Sequence, residues 1–199
     1  MTIQRTISNI NRQYYELKIL YPEMIIKEEA QPQEIKDQKE FEHHIKKLLD
    51  LGCIDKSKSP HRSSVIIVNK HSKIVRGESR MIINYKRLNN NTQLDSYNIP
   101  NKKVLINKIQ NSYWHSKFDC KSGFWQVKMH PESKKWTAFT CTEGHFKWNV
   151  MLFGLKNAPQ IFQRKMDEVF IYCKDFTCIY IDDILIFSKN KEEHTHHLK

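Results

Sequence analysis

The sequence contains no apolar run long enough to cross a membrane and no apolar stretch near the N-terminus that would direct secretion. Its longest apolar runs hold only a few residues, as in Val65–Val68, whereas a membrane-spanning helix needs about 20. The first residues, MTIQRTISNINRQ, contain no apolar segment of the signal-peptide kind. We therefore expect no membrane partner.

Cysteines are few, and their spacing predicts neither disulfides nor a zinc site. The five cysteines are an odd number without a C-x-x-C pair, whereas disulfide frameworks rely on paired cysteines in oxidising compartments. Cys173 and Cys178 do not combine with the histidines of the C-terminal EEHTHHLK at the spacing of a common zinc finger. We expect core cysteines, a solvated histidine-rich tail and a reducing, intracellular location.

Internal repeats, low-complexity tracts and a regular alternation of strands with helices are also missing. The 199 residues, of which 39% are hydrophobic and 28% charged, indicate a soluble globular protein of one medium domain or two small ones. The predicted helices and strands are intermixed, which favours the α+β class over a doubly wound sheet. Residues 1–33 are polar without a clear period and are interpreted as an N-terminal arm or linker.

Positive charge is concentrated in one part of the chain. The net charge is +11, and residues 46–108 carry 14 basic and 4 acidic side chains, a net charge of +10. Such an uneven distribution indicates an element that faces a polyanion, because solubility alone does not require the charges to cluster. A basic segment by itself is only weak evidence for nucleic-acid binding.

Hydrophobic periodicity predicts three helices. Residues 34–51 place Phe41, Ile45, Leu48 and Leu49 on one face, and Gly52 is the expected C-terminal cap. A short helix is expected at residues 101–110. The stretch NAPQIFQRKMDEVF predicts a third helix, with Asn157 as its N-cap.

Runs rich in β-branched and aromatic residues predict strands. SSVIIVNK and SRMIINY are expected to form one hairpin, and WTAFTC and HFKWNVML a second. YWHSKFD is predicted to be a strand that ends at Asp119. Residues 86–100, which contain Asn89–Asn91 and end at Pro100, are expected to form a loop.

Two adjacent aspartates interrupt the most apolar part of the chain. In CIYIDDILIFS, Asp182 and Asp183 stand between two apolar stretches. Most such pairs are solvated turns, but Asp119 also ends an apolar strand. If the two strands are neighbours, three carboxylates meet at one end of a sheet, where their mutual repulsion is relieved by divalent cations. Together with the basic segment, this predicts a magnesium-dependent nucleotidyl-transfer or nuclease site.

Several stretches, in order along residues 41–199, resemble the reverse transcriptase family. LLDLGCIDKSKSPHRSSVIIVNK and SRMIINYKRLNNNT resemble its fingers region, and FDCKSGFWQVKM resembles the motif with the first catalytic aspartate. WTAFTCTEGHFKWNVMLFGLKNAPQIFQRKMD resembles the motif that contacts template and nucleotide, and YIDDILIFS resembles the Y-x-D-D hairpin. The sequences of these motifs most resemble those of the plant pararetroviruses (caulimovirus-like), followed by gypsy-type retrotransposons.

The resemblance implies roles for individual residues. Asp119, Asp182 and Asp183 would be catalytic and would hold two Mg²⁺ ions, with Mn²⁺ as a substitute. An RNA or DNA template with its primer would be contacted by Tyr180 and Ile181. The incoming dNTP would be contacted by Lys70, Arg80, Cys120, Phe124, Phe153, Gly154 and Gln163.

Several of these roles have a simpler alternative. Lys70 and Arg80 would clamp the triphosphate or would be solvated hairpin charges, and Lys73 rivals Lys70. Phe124 would exclude a ribose 2′-hydroxyl by its bulk or would be a core phenylalanine. Gln163 would contact the nucleotide or would be an exposed helix residue.

The resemblance implies a right-hand polymerase fold of the α+β class, with fingers and a partial palm whose antiparallel sheet packs on helices. The reverse transcriptase domain would span residues 34–199, with fingers at approximately 34–93 and 127–157 and palm at approximately 94–126 and 158–199. No motif of a thumb or ribonuclease H domain is present, so we interpret the chain as truncated. The implied function is RNA- and DNA-directed DNA synthesis, and the location the cytoplasm, nucleus or a viral particle. The alternative is an inactive nucleic-acid-binding remnant of an endogenous viral or retrotransposon polyprotein.

Overall fold

The chain divides into two units whose segments alternate along the sequence. The computed structural model describes residues 14–29, 35–68, 79–120 and 122–199. Within these ranges, the unit that contains the three aspartates (the aspartate unit) comprises residues 94–127 and 157–199, and the companion unit comprises residues 14–93 and 128–156. The assignment of fingers and palm to parts of the chain stays a prediction.

The secondary structure of the described residues is mixed. The helices are α1 (Ile35–Asp50), α2 (Lys86–Asn90), α3 (Lys102–Lys108), α4 (Pro131–Lys134), α5 (Ala158–Val169) and α6 (Lys191–His197). The strands are β1 (Ile54–Lys56), β2 (Val65–Val68), β3 (Arg80–Ile83), β4 (Trp114–Asp119), β5 (Phe139–Cys141), β6 (Gly144–Trp148), β7 (Thr177–Tyr180) and β8 (Asp183–Ser188). Short 3₁₀ helices span Gly123–Gln126, Lys135–Thr137 and Ile171–Cys173. The predicted α+β class is confirmed. None of these helices is both long and apolar enough to cross a membrane.

The companion unit is built on two antiparallel sheets. Strands β1, β6 and β5 pair in that order, and β2 pairs with β3. Alternate residues of β6 and β5 point inward, which buries Phe139, Phe146 and Trp148 in one aromatic cluster. Both predicted hairpin pairings are therefore present.

Residues 14–29, which the sequence assigned to an arm or linker, belong to the companion unit. They contain no helix or named strand and form isolated bridges with Met129, Thr92 and Arg62. Tyr15 and Ile26 are buried. The segment therefore contributes apolar side chains to the core of that unit.

The aspartate unit has one antiparallel sheet with the order β4-β8-β7. Helix α5 packs on β7 and buries Phe162 and Met166, which lie on one helical face. Helix α6 packs on β8 and β4. This sheet and its turns position the three aspartates.

Asn157 is the N-cap residue of α5, as predicted, although its side chain makes no capping hydrogen bond and its Oδ1 instead accepts one from the backbone N–H of Asp95. Three other details of the sequence-based interpretation are wrong. Leu49 is 38% exposed, so it lies off the buried face to which Leu48 belongs in the last turn of α1. Residues 86–100 contain helix α2, and the side chains of Asn89 and Asn91 bond to distant backbone groups instead of forming a local turn. The histidine-rich tail is not solvated throughout: His194 is buried, and its two ring nitrogens bond to the hydroxyls of Ser116 and Ser188.

Candidate active site

Strand register brings the three aspartates to one end of the sheet. β4 ends at Asp119, β8 begins at Asp183, and these two residues are direct partners in the antiparallel pair. Direct partners point to the same face, with Cβ atoms about 4.5–5.5 Å apart. Asp182 lies in the turn before β8, and its carbonyl oxygen accepts a hydrogen bond of 3.0 Å from the backbone N–H of Cys120. The turn is thereby tied to the residue that follows Asp119.

One of these carboxylates, Asp183, forms an ion pair with a lysine. Lys117 Nζ lies 2.9 Å from Asp183 Oδ1, and both side chains are largely exposed. The hydrogen bond with Asp183, followed by the charges of Asp183, Asp119 and Asp182, raises the pKa of the Lys117 ammonium. The acidic end of the sheet therefore contains its own partly neutralising cation.

The carboxylates suit a divalent metal by their chemistry but are not arranged as a formed metal site. Carboxylate oxygens are the ligands that Mg²⁺ prefers, and Asp119, Asp182 and Asp183 are exposed or half-buried. Within the described residues, however, no three side chains of His, Cys, Asp or Glu are grouped closely enough to hold a metal ion. The convergence of the three carboxylates on metal ions stays a prediction. In the structure, the ion pair holds one oxygen of Asp183 on Lys117.

The turn that carries Asp182 has a strained backbone. Tyr180 and Asp183 are partners in β7 and β8, so Ile181 and Asp182 form a two-residue loop. Ile181 has a φ of 57°, a value that is unfavourable for a β-branched residue because its Cβ crowds the backbone. Such strain persists only where surrounding contacts hold it.

Gln163 supplies one of those contacts from helix α5. Its side chain is 0% exposed, so the alternative of an exposed helix residue is wrong. Its Oε1 accepts a hydrogen bond of 2.7 Å from the backbone N–H of Ile181. Its Nε2 donates to Ile179 O at 3.3 Å and to Asp167 Oδ1 at 2.9 Å. The residue contacts the hairpin backbone, while its role toward a nucleotide stays a prediction.

Phe124 lies in the 3₁₀ helix after β4. It is 5% exposed, and its ring packs edge-on against Phe162 with centroids 5.3 Å apart. A Cβ on the preceding Gly123 would lie 2.8 Å from the Phe162 ring, so this packing requires glycine. The buried position agrees with a core phenylalanine, and the sugar-gate role stays a prediction.

Cys120 and Tyr180 flank the aspartates. Burial, followed by the nearby charges of Asp182 and Asp119, raises the pKa of the Cys120 thiol. This favours the neutral thiol at physiological pH. Lys102 Nζ lies 4.9 Å from the centre of the Tyr180 ring, which places a cation over its face.

The remaining predicted site residues do not lie in the aspartate unit. Arg80 is exposed in β3, opposite Val68. Phe153 is 60% exposed, and Gly154 has a φ of 95°, which a glycine adopts without strain. Lys70, with its rival Lys73, lies outside the described residues.

Sequence reasoning missed Lys117, Asp167 and Tyr97. Lys117 stands two residues before Asp119, so strand alternation places both on one face. Asp167 stands four residues after Gln163, at helical spacing for a contact. Tyr97, whose hydroxyl donates to Asp167, carries no comparable local signal.

Comparison with known proteins identifies relatives of the chain. A family described as "Reverse transcriptase (RNA-dependent DNA polymerase)" matches residues 68–199. The enzymatic polyprotein of cauliflower mosaic virus (strain Strasbourg) is 48% identical over 182 residues, which cover 92% of this chain and 27% of that polyprotein. The enzymatic polyprotein of figwort mosaic virus (strain DxS) is 43% identical with the same coverage. The chain thus spans about a quarter of the length of these relatives.

The fold is that of a solved polymerase. The foamy viral protease-reverse transcriptase, in complex with an RNA/DNA hybrid, superposes with a TM-score of 0.81 at 20% identity. The match covers 94% of this chain and 25% of that one. The chain therefore has the α+β polymerase fold.

Proposed function

The chain belongs to the reverse transcriptase family, and from that premise we propose that it catalyses RNA- and DNA-directed DNA synthesis with two divalent metal ions. The observation that carries the proposal is the register of β4 and β8, in which Asp119 is the direct partner of Asp183 and Asp182 occupies the adjoining turn. Three acidic residues from two separate stretches of sequence thereby share one end of a sheet.

Asp119 and Asp182 would be the main metal ligands, with Asp183 as the third carboxylate. Bound Mg²⁺, or Mn²⁺ in its place, supplies two kinds of chemistry: it lowers the pKa of a primer 3′-hydroxyl and stabilises the charge of the leaving pyrophosphate. The ion pair with Lys117 would compete with a metal ion for Asp183 Oδ1.

The other residues of the aspartate unit would position the reactants. Gln163 holds the backbone of the turn at Ile181, which would fix the direction of the Asp182 side chain. Phe124 would exclude a 2′-hydroxyl by steric clash, so that dNTP is selected over rNTP. The backbone after Asp119, beginning at Cys120, would contact the triphosphate. Tyr180 and Ile181 would contact primer and template.

The resemblance also assigns nucleotide contacts to residues of its other motifs. Arg80 and Lys70 would contact the triphosphate, and Phe153 and Gly154 would contact the nucleotide. The exposure of Phe153 is compatible with a ligand-binding role, since large aromatic side chains are usually buried.

The proposed macromolecular partner is a primer annealed to an RNA or DNA template. Residues 46–108 carry a net charge of +10, and clustered Lys and Arg bind phosphates with release of counterions. The foamy viral relative by fold is itself described in complex with an RNA/DNA hybrid.

Primer extension on a defined template tests the proposal. Wild-type protein is expected to extend the primer with dNTPs in Mg²⁺ or Mn²⁺, and Asp119→Asn and Asp182→Asn are each expected to lower the rate at least about 100-fold. Asp175→Asn makes the same chemical change at an exposed position in the turn before β7, outside the motifs, and is the matched control. Equal losses in all three variants would contradict the assignment.

A second function is favoured by one observation, the lack of a formed metal site among the described residues. In this alternative the chain is an inactive nucleic-acid-binding remnant. It predicts salt-dependent binding of primer–template without extension in either metal, so the same experiment separates the two functions.

A further inference from the structure

A continuous chain of hydrogen bonds leads from Tyr97 to the turn that carries Asp182. The Tyr97 hydroxyl donates to Asp167 Oδ2 at 2.7 Å. Asp167 Oδ1 accepts from Gln163 Nε2 at 2.9 Å, and Gln163 Oε1 accepts from the backbone N–H of Ile181 at 2.7 Å. The loop that carries Tyr97 and helix α5 are thereby linked to one strained peptide unit.

Asp167 fixes which way the Gln163 amide points. The amide Nε2 faces two acceptors, the Asp167 carboxylate and Ile179 O, while Oε1 faces a donor. A flipped amide would set its NH₂ group against the Ile181 N–H and its oxygen against a carboxylate. Gln163 is fully buried, so water cannot replace a lost partner and the wrong orientation would leave polar groups unsatisfied.

Tyr97 is itself held in place. Its backbone N–H donates to Asp95 Oδ1 at 2.9 Å, and the same carboxylate pairs with Arg164. The Arg164 guanidinium lies 4.7 Å from the centre of the Tyr97 ring. Burial, then the hydrogen bond with Asp167, raises the pKa of Tyr97 to about 12, so its hydroxyl remains a donor over the physiological range.

We propose that Tyr97, Asp167 and Gln163 are positioning residues that orient the strained turn and thereby the Asp182 carboxylate for metal binding. The proposal rests on the proposed polymerase function, because only a metal-binding role requires the Asp182 carboxylate to point in a particular direction. It differs from simple packing of a helix on a hairpin, since packing does not require a particular polarity of the Gln163 amide.

Exchanging the amide and the carboxylate between positions 163 and 167 tests the polarity. Gln163→Glu sets a carboxylate against the Asp167 carboxylate and Ile179 O, and the repulsion should displace its side chain from the Ile181 N–H. The Ile181 amide should then exchange with solvent at least about fivefold faster, the effect of losing one hydrogen bond. Adding Asp167→Asn supplies a donor to the new carboxylate and should restore most of the protection, although Asp167→Asn alone leaves the amide acceptor in place and should change little. Exchange is measured at Ile181 by NMR.

Tyr97→Phe removes the outermost bond and should speed Ile181 exchange by about two- to fivefold. Tyr85→Phe is the control, because it removes a hydroxyl hydrogen bond of similar length, 2.8 Å to Thr137 O, in the companion unit. It should not affect the Ile181 amide. Unchanged Ile181 exchange in folded Tyr97→Phe and Gln163→Glu would overturn the proposed role of the hydrogen-bond chain. Ile181 exchange that changes equally in Tyr85→Phe would overturn it as well.

The link to Asp182 is tested by Mn²⁺ affinity and by kinetics. Gln163→Glu should weaken Mn²⁺ binding and lower kcat with little change in KM for dNTP, and Asp167→Asn should rescue both. Faster Ile181 exchange with unaltered Mn²⁺ affinity and kcat would show a structural role only and overturn the positioning. If wild-type protein extends no primer, the proposed function fails. The exchange and Mn²⁺ measurements still decide whether the hydrogen-bond chain positions the turn and Asp182.

Discussion

Lys117 Nζ lies 2.9 Å from Asp183 Oδ1 and reaches it diagonally across the β4–β8 pair. The partner of Lys117 in the register is Leu185, and Asp183 is opposite Asp119, so a long side chain is needed to bridge the diagonal. This places one positive charge among three carboxylates. A divalent ion that binds there must therefore compete with the lysine.

Replacing Lys117 by Met should tighten the binding of Mn²⁺ or Mg²⁺. Removal of the ammonium ends both its competition for Asp183 and its repulsion of the metal. Because exposed ion pairs are weak, the affinity for the metal should rise by only about two- to fivefold. Titration of Mn²⁺ followed by electron paramagnetic resonance measures the effect. Lys103→Met, in exposed helix α3, is the control. Weaker or unchanged binding in Lys117→Met would show that the lysine does not compete.

Ile181 allows a test of backbone strain through the sign of an Ala-to-Gly difference. At most positions Gly is less stable than Ala by roughly 0.5–1 kcal/mol, because the unfolded chain has more freedom. At a φ of 57° the Cβ itself is unfavourable, at about 1–3 kcal/mol. Ile181→Gly should therefore be more stable than Ile181→Ala by about 1 kcal/mol in urea unfolding.

The same pair of substitutions at Ile82 is the reference for this comparison. Ile82 lies in β3, where φ is not positive, and its side chain is also partly exposed. There Gly should be less stable than Ala. The same sign at both positions would mean that the turn at Ile181 is not strained.

The periodicities of the sequence were sufficient to predict most of the fold. The aromatic content of YWHSKFD and the helical pattern of NAPQIFQRKMDEVF predicted β4 and α5 close to their observed bounds. Both signals are local in sequence. The prediction of a loop for the asparagine-rich stretch before Pro100 was wrong because the relevant contacts are not local. Asn89 and Asn91 bond to residues far away in sequence.

The site was predictable where a residue's position follows from strand ends. Asp119 and Asp183 terminate adjacent strands, so their proximity followed from pairing alone. The surroundings were not predictable, since the burial of Gln163 and its bonds to Ile181 and Asp167 depend on how α5 packs. No single-sequence pattern reports whether a polar helix residue faces solvent or a hairpin.

Tyr97 should give the protein a specific loss of stability at high pH. Its pKa is raised from 10.0 to about 12 in the folded state, chiefly by burial and then by the bond to Asp167. Because the unfolded state deprotonates first, the stabilising contribution is complete below about pH 10 and is lost as the pH rises through about 12. The difference in unfolding free energy between wild type and Tyr97→Phe should therefore be constant up to about pH 9 and shrink between about pH 10 and 12. A difference that is independent of pH would contradict the raised pKa of Tyr97 in the folded state.

The sugar gate can be separated from core packing because Phe124 has a buried aromatic neighbour. Phe124 packs against Phe162 at 5.3 Å, and both rings are almost fully buried. Shortening either ring removes part of the same contact, and truncations of buried phenylalanine to alanine cost about 3–5 kcal/mol. The Val variants should cost less, since Val retains part of the apolar side chain. Loss of packing alone should therefore affect Phe124→Val and Phe162→Val alike.

A steric gate predicts different substrate selection by these two variants. If the Phe124 ring fills the space that a 2′-hydroxyl requires, Phe124→Val should raise kcat/KM for rNTP relative to the matched dNTP by at least about tenfold. Phe162→Val should lower thermal stability to a comparable degree. It should leave that ratio unchanged, because the Phe162 ring belongs to helix α5 and is not the ring proposed to face the sugar. Discrimination by a clash is lost with the bulky group, whereas the aspartates and the bonds of Gln163 remain in place. A ratio that is unchanged in folded, active Phe124→Val, or changed equally in both variants, would reduce Phe124 to a core residue.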